Sequence, residues 1–240
     1  MLSVSRLTKE FILHLMGGKV ITACREISFS VARGELLAIV GPSGSGKSTI
    51  VKCIYQNYEP TSGDITYFRG GDREAVNLGK ADTEAMLALR NKDIGYVPQH
   101  FTVIPRVPVL DITAEPMLKV GLEKEEAYRK AGEYLEEIGI NKQLFDVYPA
   151  ILSGGQKQRI NILRAVVREP DLLLVDEPTA SLDVESAEIV ENLLMSLKKK
   201  GTTIIGVFHD PRMVKRIADK VLHVRDGRVV ARDGMDSSTN

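Results

Sequence analysis

The stretch Gly41-Pro42-Ser43-Gly44-Ser45-Gly46-Lys47-Ser48-Thr49 constrains this chain more than any other. It spells G-x-x-x-x-G-K-[ST]. An apolar run, Leu36-Leu37-Ala38-Ile39-Val40, precedes it, and a helical pattern from Ser48 to Tyr55 follows. Strand, glycine loop and helix form the context in which this spacing cradles a phosphate. The glycines let the backbone curl until successive N–H groups converge at the positive end of the helix. In that geometry Lys47 is expected to reach the β- and γ-phosphates of a nucleotide, and the Ser48 hydroxyl to take one position on Mg2+.

Composition sets the outer limits. At 240 residues the chain is long enough for a sizeable core and for one or two domains. Its hydrophobic share of 43% and charged share of 27% are ordinary for a globular protein. Lys+Arg and Asp+Glu both number 32, so no net field recruits nucleic acid or an anionic membrane. Cys24 and Cys53 are too few for a disulfide framework, and Cys53, in the helix after the glycine loop, is expected to be a buried thiol. Met1 to Arg6 lacks the apolar core of a signal peptide. No run approaches the roughly 18 apolar residues of a membrane span. The expected compartment is the cytoplasm; if the protein serves a membrane machine, another chain does the spanning.

In chain order, Val4 to Phe11 and Ile27 to Val31 are predicted strands, joined through a loop over Leu13 to Gly18. A turn at Glu59 to Gly63 leads to a strand at Asp64 to Phe68, and Gly70 to Gly79 is predicted as loop. A weak helix over Thr83 to Arg90 precedes a short strand, Ile94 to Val97. From His100 to Pro170 helices take over. The clearest spans Lys124 to Ile138, with Ala127, Ala131, Tyr134, Leu135 and Ile138 on one stripe and Gly139 as its stop. Leu172 to Val175 reads as a buried parallel strand. Val184 to Lys200 is a helix with Ala187, Val190, Leu193, Leu194 and Leu197 inward, and its terminal lysines complement the helix dipole. Thr202 to Phe208 is a further strand. Asp210-Pro211 starts a helix, and Val221 to Ala231 folds as a hairpin about Asp226-Gly227. Asp233 to Asn240 is a polar tail, expected to be disordered.

Two further constellations carry chemistry. Asp176 and Glu177 follow the buried strand directly, and in open α/β sheets ligands bind at the carboxyl ends of strands. Asp176 suits the hydration shell of Mg2+, and Glu177 is placed to polarise an attacking water. Leu152-Ser153-Gly154-Gly155-Gln156 precedes an amphipathic helix over Lys157 to Val167, so Ser153 and the glycine N–H groups form a second anion-binding helix start. Two cradles serve one phosphate if each grips it from the opposite side, which suggests a site shared between two subunits.

These motifs, in this order, resemble the ABC-type ATPases, and the resemblance covers residues 1 to about 232. It places Gln99 in the Q-loop, Leu152 to Gln156 in the signature, Asp176-Glu177 in the Walker B pair, Ala180-Ser181-Leu182-Asp183 in the D-loop and His209 at the switch position. Phe11 falls where the family stacks an aromatic on adenine; His14, His100 and His223 have no metal-ligand spacing. What the resemblance implies is an α/β P-loop NTPase core with a parallel sheet (residues 1–99 and 169–232), a small antiparallel β layer and an inserted helical subdomain over 100–168. It also implies ATP and Mg2+ as cofactors, Gln99 beside Ser48 and Asp176 at the metal, Gln99 and His209 beside Glu177 in catalysis, and Asp183 near the nucleotide. Two subunits, alike or unlike, would close head to tail, bringing Ser153 of one to the γ-phosphate held by Lys47 of the other.

Four stretches depart from the commoner family wording: Phe11-Ile12-Leu13-His14, Val103-Ile104-Pro105-Arg106, Arg159-Ile160-Asn161-Ile162 and Gly206-Val207-Phe208-His209-Asp210. Together they resemble an ABC subunit of the bacterial carbon–phosphorus lyase system, although Leu163 stands where that subunit has Ala. This implies a soluble partner complex in phosphonate breakdown, with ATP hydrolysis driving a conformational step. The alternative is the ATPase of a membrane transporter of the lipoprotein-releasing or macrolide-export type, which shares Gly41 to Thr49, the run from Asp176 to Asp183 and the length. The segment after the Q-loop, His100 to Leu118, is the expected partner surface in either case.

Overall fold

The computed structural model describes residues 1–14, 17–69, 74–99, 106–180 and 182–234. In chain order the elements begin β1 (Leu2–Leu13), β2 (Lys19–Val31), β3 (Leu36–Val40), α1 (Lys47–Ile54), β4 (Ser62–Arg69), β5 (Glu74–Asn77), α2 (Thr83–Lys92) and β6 (Ile94–Val97). They continue with α3 (Val109–Lys119), α4 (Lys124–Glu137), α5 (Gly154–Val166), β7 (Leu172–Asp176), α6 (Val184–Lys199), β8 (Thr203–Val207), α7 (Pro211–Ile217), β9 (Lys220–Arg225) and β10 (Arg228–Asp233). They fall into two compact units, Met1–Leu87 with Thr203–Asn240, and Ala88–Thr202.

The first unit holds an antiparallel layer in the order β2-β1-β4-β5 and a second group of strands, β10-β9-β3-β8. In the second group β3 runs parallel to both β8 and β9, and β10 returns antiparallel to β9. Leu36 to Ile39 are fully buried, as a parallel strand covered on both faces must be. Each large aliphatic side chain so buried contributes roughly 1.5–3 kcal/mol, which makes β3 a rigid platform for the glycine loop at its end. The turn joining β9 and β10 is Asp226-Gly227, at φ 49° and 72°, the pair of left-handed residues that a two-residue hairpin demands.

The second unit contains the parallel pair β6 and β7, with helices α3 to α6. Leu172 to Val175 are wholly buried. In α4 the buried stripe is Ala127, Ala131 and Leu135, and the helix stops at Gly139, whose φ of 74° continues no helix. In α6, Val190, Leu194 and Leu197 face inward as expected, but so does Ser186, a polar residue the apolar pattern does not mark.

Several boundaries differ from the sequence expectations. β1 and β2 run well beyond Val4–Phe11 and Ile27–Val31 and pair as a long hairpin, with Ile12 opposite Val20 and Leu13 opposite Lys19. Its outer part is solvated on both faces (Val20 is 53% exposed on one and Ile21 44% on the other), so backbone pairing holds it and no alternation announces it. Leu15 and Met16, in the predicted loop, lie outside the described residues. The predicted loop Gly70 to Gly79 contains β5, a short edge strand paired along β4, where Asn77 Nδ2 donates to Asp64 Oδ1 at 2.7 Å; residues 70–73 are outside the description. α5 begins at Gly154 rather than Lys157. β10 reaches Asp233, the first residue of the expected tail, and residues 235–240 are not described. Residues 100–105 of the expected partner surface also lie outside the described residues. So does Ser181.

Candidate functional site

In the first unit the glycine loop leaves β3 and enters α1 through Gly46, an N-cap with φ 98° and no side-chain capping bond. A Cβ on Gly46 would run into the backbone carbonyl of Ala23, and one on Gly41 into that of Val224. The loop is therefore pressed against β2 and β9 on its inner side. Pro42, Ser43 and Gly44 are exposed on the outer side, and nothing lies within 4 Å of where a Cβ on Gly44 would stand. The β9–β10 turn buttresses the loop, since Gly227 N–H donates to the Ser45 carbonyl at 3.1 Å and Arg25 N–H donates to the Gly227 carbonyl at 2.7 Å.

Lys47 is buried, and its Nζ donates to the carbonyls of Gly41 at 2.9 Å and Pro42 at 2.8 Å. The ammonium is thus folded over its own loop, where an anionic phosphate oxygen adds the attraction of a full opposite charge. Ser45 Oγ is buried with no hydrogen-bond partner among the described residues. Ser48 and Thr49 are half-buried on the first turn of α1. An uncapped helix start, a curled backbone and a lysine over its mouth fit a polyphosphate.

Around the loop, Phe11 on β1 is half-buried and meets the Tyr58 ring edge-on at 5.2 Å between centroids, with Lys9 Nζ 5.0 Å from its own ring centroid. His209 is exposed just after β8, where Phe208 N–H donates to the Ile39 carbonyl at 3.3 Å and Asp210 caps α7 through Arg212 N–H at 2.8 Å. Val40, Gly41, Phe208, His209, Val214 and His223 share a cavity of about 460 Å3 that sequence reasoning did not anticipate. His223 faces Asp233 at 2.9 Å. Cys24 and Cys53 are both buried, and burial pushes the first thiol up to about 11 and the second to about 12, which leaves them packing groups.

In the second unit the β6–β7 register sets Val97 beside Val175, so the residues two further on, Gln99 and Glu177, leave their strands side by side. Gln99 Nε2 donates to Glu177 Oε2 at 2.8 Å. Asp176 is buried at the end of β7, and Glu177 takes φ 51°, a left-handed conformation uncommon for a glutamate. Asn161 of α5 donates to the Pro98 carbonyl at 3.3 Å, which gives a structural use to a residue that stands out in the sequence.

The start of α5 is a full capping box. Gln156 N–H donates to Ser153 Oγ at 3.2 Å, and Ser153 N–H donates to Gln156 Oε1 at 3.0 Å. Gly154 and Gly155 follow Ser153 on the first turn, Gly154 exposed and Gly155 half-buried. Asp183, exposed, caps α6 by accepting from Ser186 N–H at 2.8 Å. A backbone hydrogen bond from Ser186 is the main cause holding the Asp183 carboxyl below the usual carboxylate range. The predicted site residues thus gather as Gly41 to Thr49, Phe11 and His209 in one unit, and Gln99, Asp176, Glu177, Ser153 to Gln156 and Asp183 in the other.

Among the described residues no group of three or more His, Cys, Asp or Glu is arranged to hold a metal. Mg2+ keeps most of its waters and takes one or two protein oxygens beside those of a phosphate. The Ser48 hydroxyl and the Asp176 carboxylate are oxygen donors of the required hard kind.

Comparison with known proteins gives consistent results. The family described as "ABC transporter" matches residues 24–180. An uncharacterized ABC transporter ATP-binding protein of Bacillus subtilis, YvrO, is 38% identical over 238 residues, covering 99% of each chain. The glutamine transport ATP-binding protein GlnQ of Geobacillus stearothermophilus is 36% identical over 86% of this chain and 82% of its own. Among solved structures, the ATP-binding cassette MJ0796, a dimer in a post-hydrolysis state bound to ADP and Pi, superposes with a TM-score of 0.87 at 30% identity, over 97% of this chain and 98% of that one.

Proposed function

Because this chain belongs to the ABC transporter family of ATP-binding subunits, we propose that it binds ATP with Mg2+ and hydrolyses it in a head-to-tail dimer. In that dimer it drives a membrane-spanning partner. The observation that carries the dimer is the setting of the two loops on the second unit. Ile151 and Val184, at 71% and 77% the most exposed large apolar side chains among the described residues, lie beside Ser153 and Asp183 respectively. Exposed apolar residues flanking two loops with anion-binding character suit a surface that a second subunit covers. That MJ0796 is a dimer supports the same arrangement.

In this reading Lys47 and the N–H groups of Gly44 to Thr49 hold the phosphates. Phe11 lies against the base, and Ser48, Asp176 and Gln99 are the residues that hold Mg2+, which when bound neutralises charge on the phosphates. Glu177 takes a proton from the attacking water. Gln99, already bonded to Glu177, keeps that carboxylate oriented, and His209 is the second polar group at the reacting phosphate. Ser153, Gly154, Gly155 and Gln156 serve the nucleotide of the partner, with Asp183 beside them, and residues 100–168 act as the helical subdomain that presents them.

The class of partner rests on the relatives, whose names are those of transporter subunits. A second reading keeps a soluble partner, the carbon–phosphorus lyase complex, and rests on Phe11 to His14, Val103 to Arg106, Arg159 to Ile162 and Gly206 to Asp210. Native purification followed by identification of the co-purifying chains separates the two. An integral membrane protein is the expected companion, and soluble lyase subunits in its place overturn the transporter reading.

A further inference from the structure

Gly155 of the signature and Asp183 of the loop after β7 meet at one side chain, Ser186. A Cβ built on Gly155 would stand 2.5 Å from Ser186 Oγ and 3.2 Å from Ser186 Cβ, with Asp183 Oδ2 at 3.8 Å. The same hydroxyl donates to Asp183 Oδ2 at 3.2 Å, while Ser186 N–H donates to Asp183 Oδ1 at 2.8 Å. Ser186 is 7% exposed although it lies on the first turn of α6, so its hydroxyl is spent inside the protein, between the two loops. One turn along α5 from Gly155, Arg159 is buried and donates through Nη1 to the Ile138 carbonyl at 2.8 Å; its positive charge adds to the causes keeping Asp183 ionised.

From this packing we propose that Ser186 is a positioning residue that locks the signature loop to the Asp183 loop, so that both are presented to the partner subunit as one rigid surface. The inference rests on the shared-site reading above. Its physical basis is steric and polar at once. The missing Cβ of Gly155 lets α5 come down onto the Ser186 hydroxyl, and the hydroxyl's proton, directed to Asp183, fixes the side chain that fills the gap. Remove the oxygen and the Asp183 loop loses one of its two bonds to Ser186, while the first turn of α5 loses its backstop. Add a methyl group at Gly155 and the oxygen must leave its place, breaking the bond to Asp183. The glycine thus has a use beyond letting phosphate approach, because it is also the seat of the strut.

The test uses the full chain with ATP and Mg2+, in the Glu177→Gln background for dimerisation and in the wild-type background for turnover. Ser186→Ala is expected to weaken the dimer about tenfold, the equivalent of one hydrogen bond to a charged group, and to lower kcat with it. Nucleotide affinity of the dilute single subunit stays within about twofold, because a loss confined to the interface leaves the Lys47 loop untouched. Ser186→Thr, which keeps the oxygen, retains most of the dimerisation. Gly155→Ala is expected to be the more damaging single change, and adding Ser186→Ala to it restores part of the loss because the colliding oxygen is gone. The proposal is overturned if Ser186→Ala dimerises like its parent, if Ser186→Thr is as defective as Ser186→Ala, or if the double variant shows only the product of the two single losses. Should Glu177→Gln itself stay monomeric with ATP and Mg2+, the shared-site reading falls and this one with it. A dimer that forms equally well with and without Ser186 removes the strut alone.

Discussion

The chain carries two glycine-rich helix starts, one in each unit, and they are built on opposite plans. At α1 the N-cap is Gly46, which offers no side chain to its own helix. The nearby cation, Lys47, donates to the Gly41 and Pro42 carbonyls of the loop itself. At α5 the N-cap is Ser153, whose oxygen already accepts from Gln156, while the Gln156 side chain accepts from Ser153 in return. One start has no side-chain cap, and the other has satisfied part of its own hydrogen bonding. The difference supports the proposal that α1 binds a polyphosphate within its own subunit, whereas α5 serves an anion held by another.

The sharpest way to break the comparison is at Lys47. Lys47→Ala is expected to weaken ATP binding by about a hundredfold or more, as removal of a buried partner from a charged pair does, and turnover goes with it. An isothermal titration showing near-normal affinity would mean that the open helix start does not carry binding. Next comes Ser153→Arg, which puts bulk and charge on the self-capped start. Here turnover at high protein concentration is expected to fall by about a hundredfold, a loss of transition-state contacts worth a few kcal/mol, with the affinity of the dilute subunit unchanged. A parallel loss of both quantities would place Ser153 in the same subunit's site.

The smallest effect sharpens the comparison by removing the cap alone. Ser153→Ala is expected to cost about 1 kcal/mol of stability, the usual worth of an N-cap side chain. In a protein of this size that lowers the thermal midpoint by about 2–4 °C. A calorimetric scan with no shift would mean that the capping box is idle and that α5 is as open as α1.

How much of this was legible in the sequence depended on whether the cause was local. The glycine loop, the strands Leu36–Val40 and Leu172–Asp176, and the Asp226-Gly227 hairpin are set by short-range patterns and stand where those patterns put them. The first turn of α5 did not read as helix because Gly154 and Gly155 are poor helix formers; the capping box that starts the helix there is a pair of side-chain bonds between Ser153 and Gln156. β5 escaped because its four residues, Glu74 to Asn77, are too short a run to show a pattern and owe their extended form to the neighbouring β4. Ser186 escaped for a related reason: an apolar stripe marks what a helix buries for packing, whereas Ser186 is buried to meet Asp183 and Gly155. The Gln99–Glu177 bond follows from the β6–β7 register, which no single segment encodes.

The central claim is that the open start of one subunit and the self-capped start of another share a nucleotide. Sedimentation velocity with ATP and Mg2+, comparing Glu177→Gln with the pair Glu177→Gln/Ser153→Arg, tests it most directly. Glu177→Gln cannot take up the proton from water, so nucleotide is retained and the complex it joins should persist. The account predicts a dimer for Glu177→Gln and a monomer for the pair, with equal nucleotide affinity when both are dilute. A dimer of equal strength in both proteins, or a monomer in both, would contradict it.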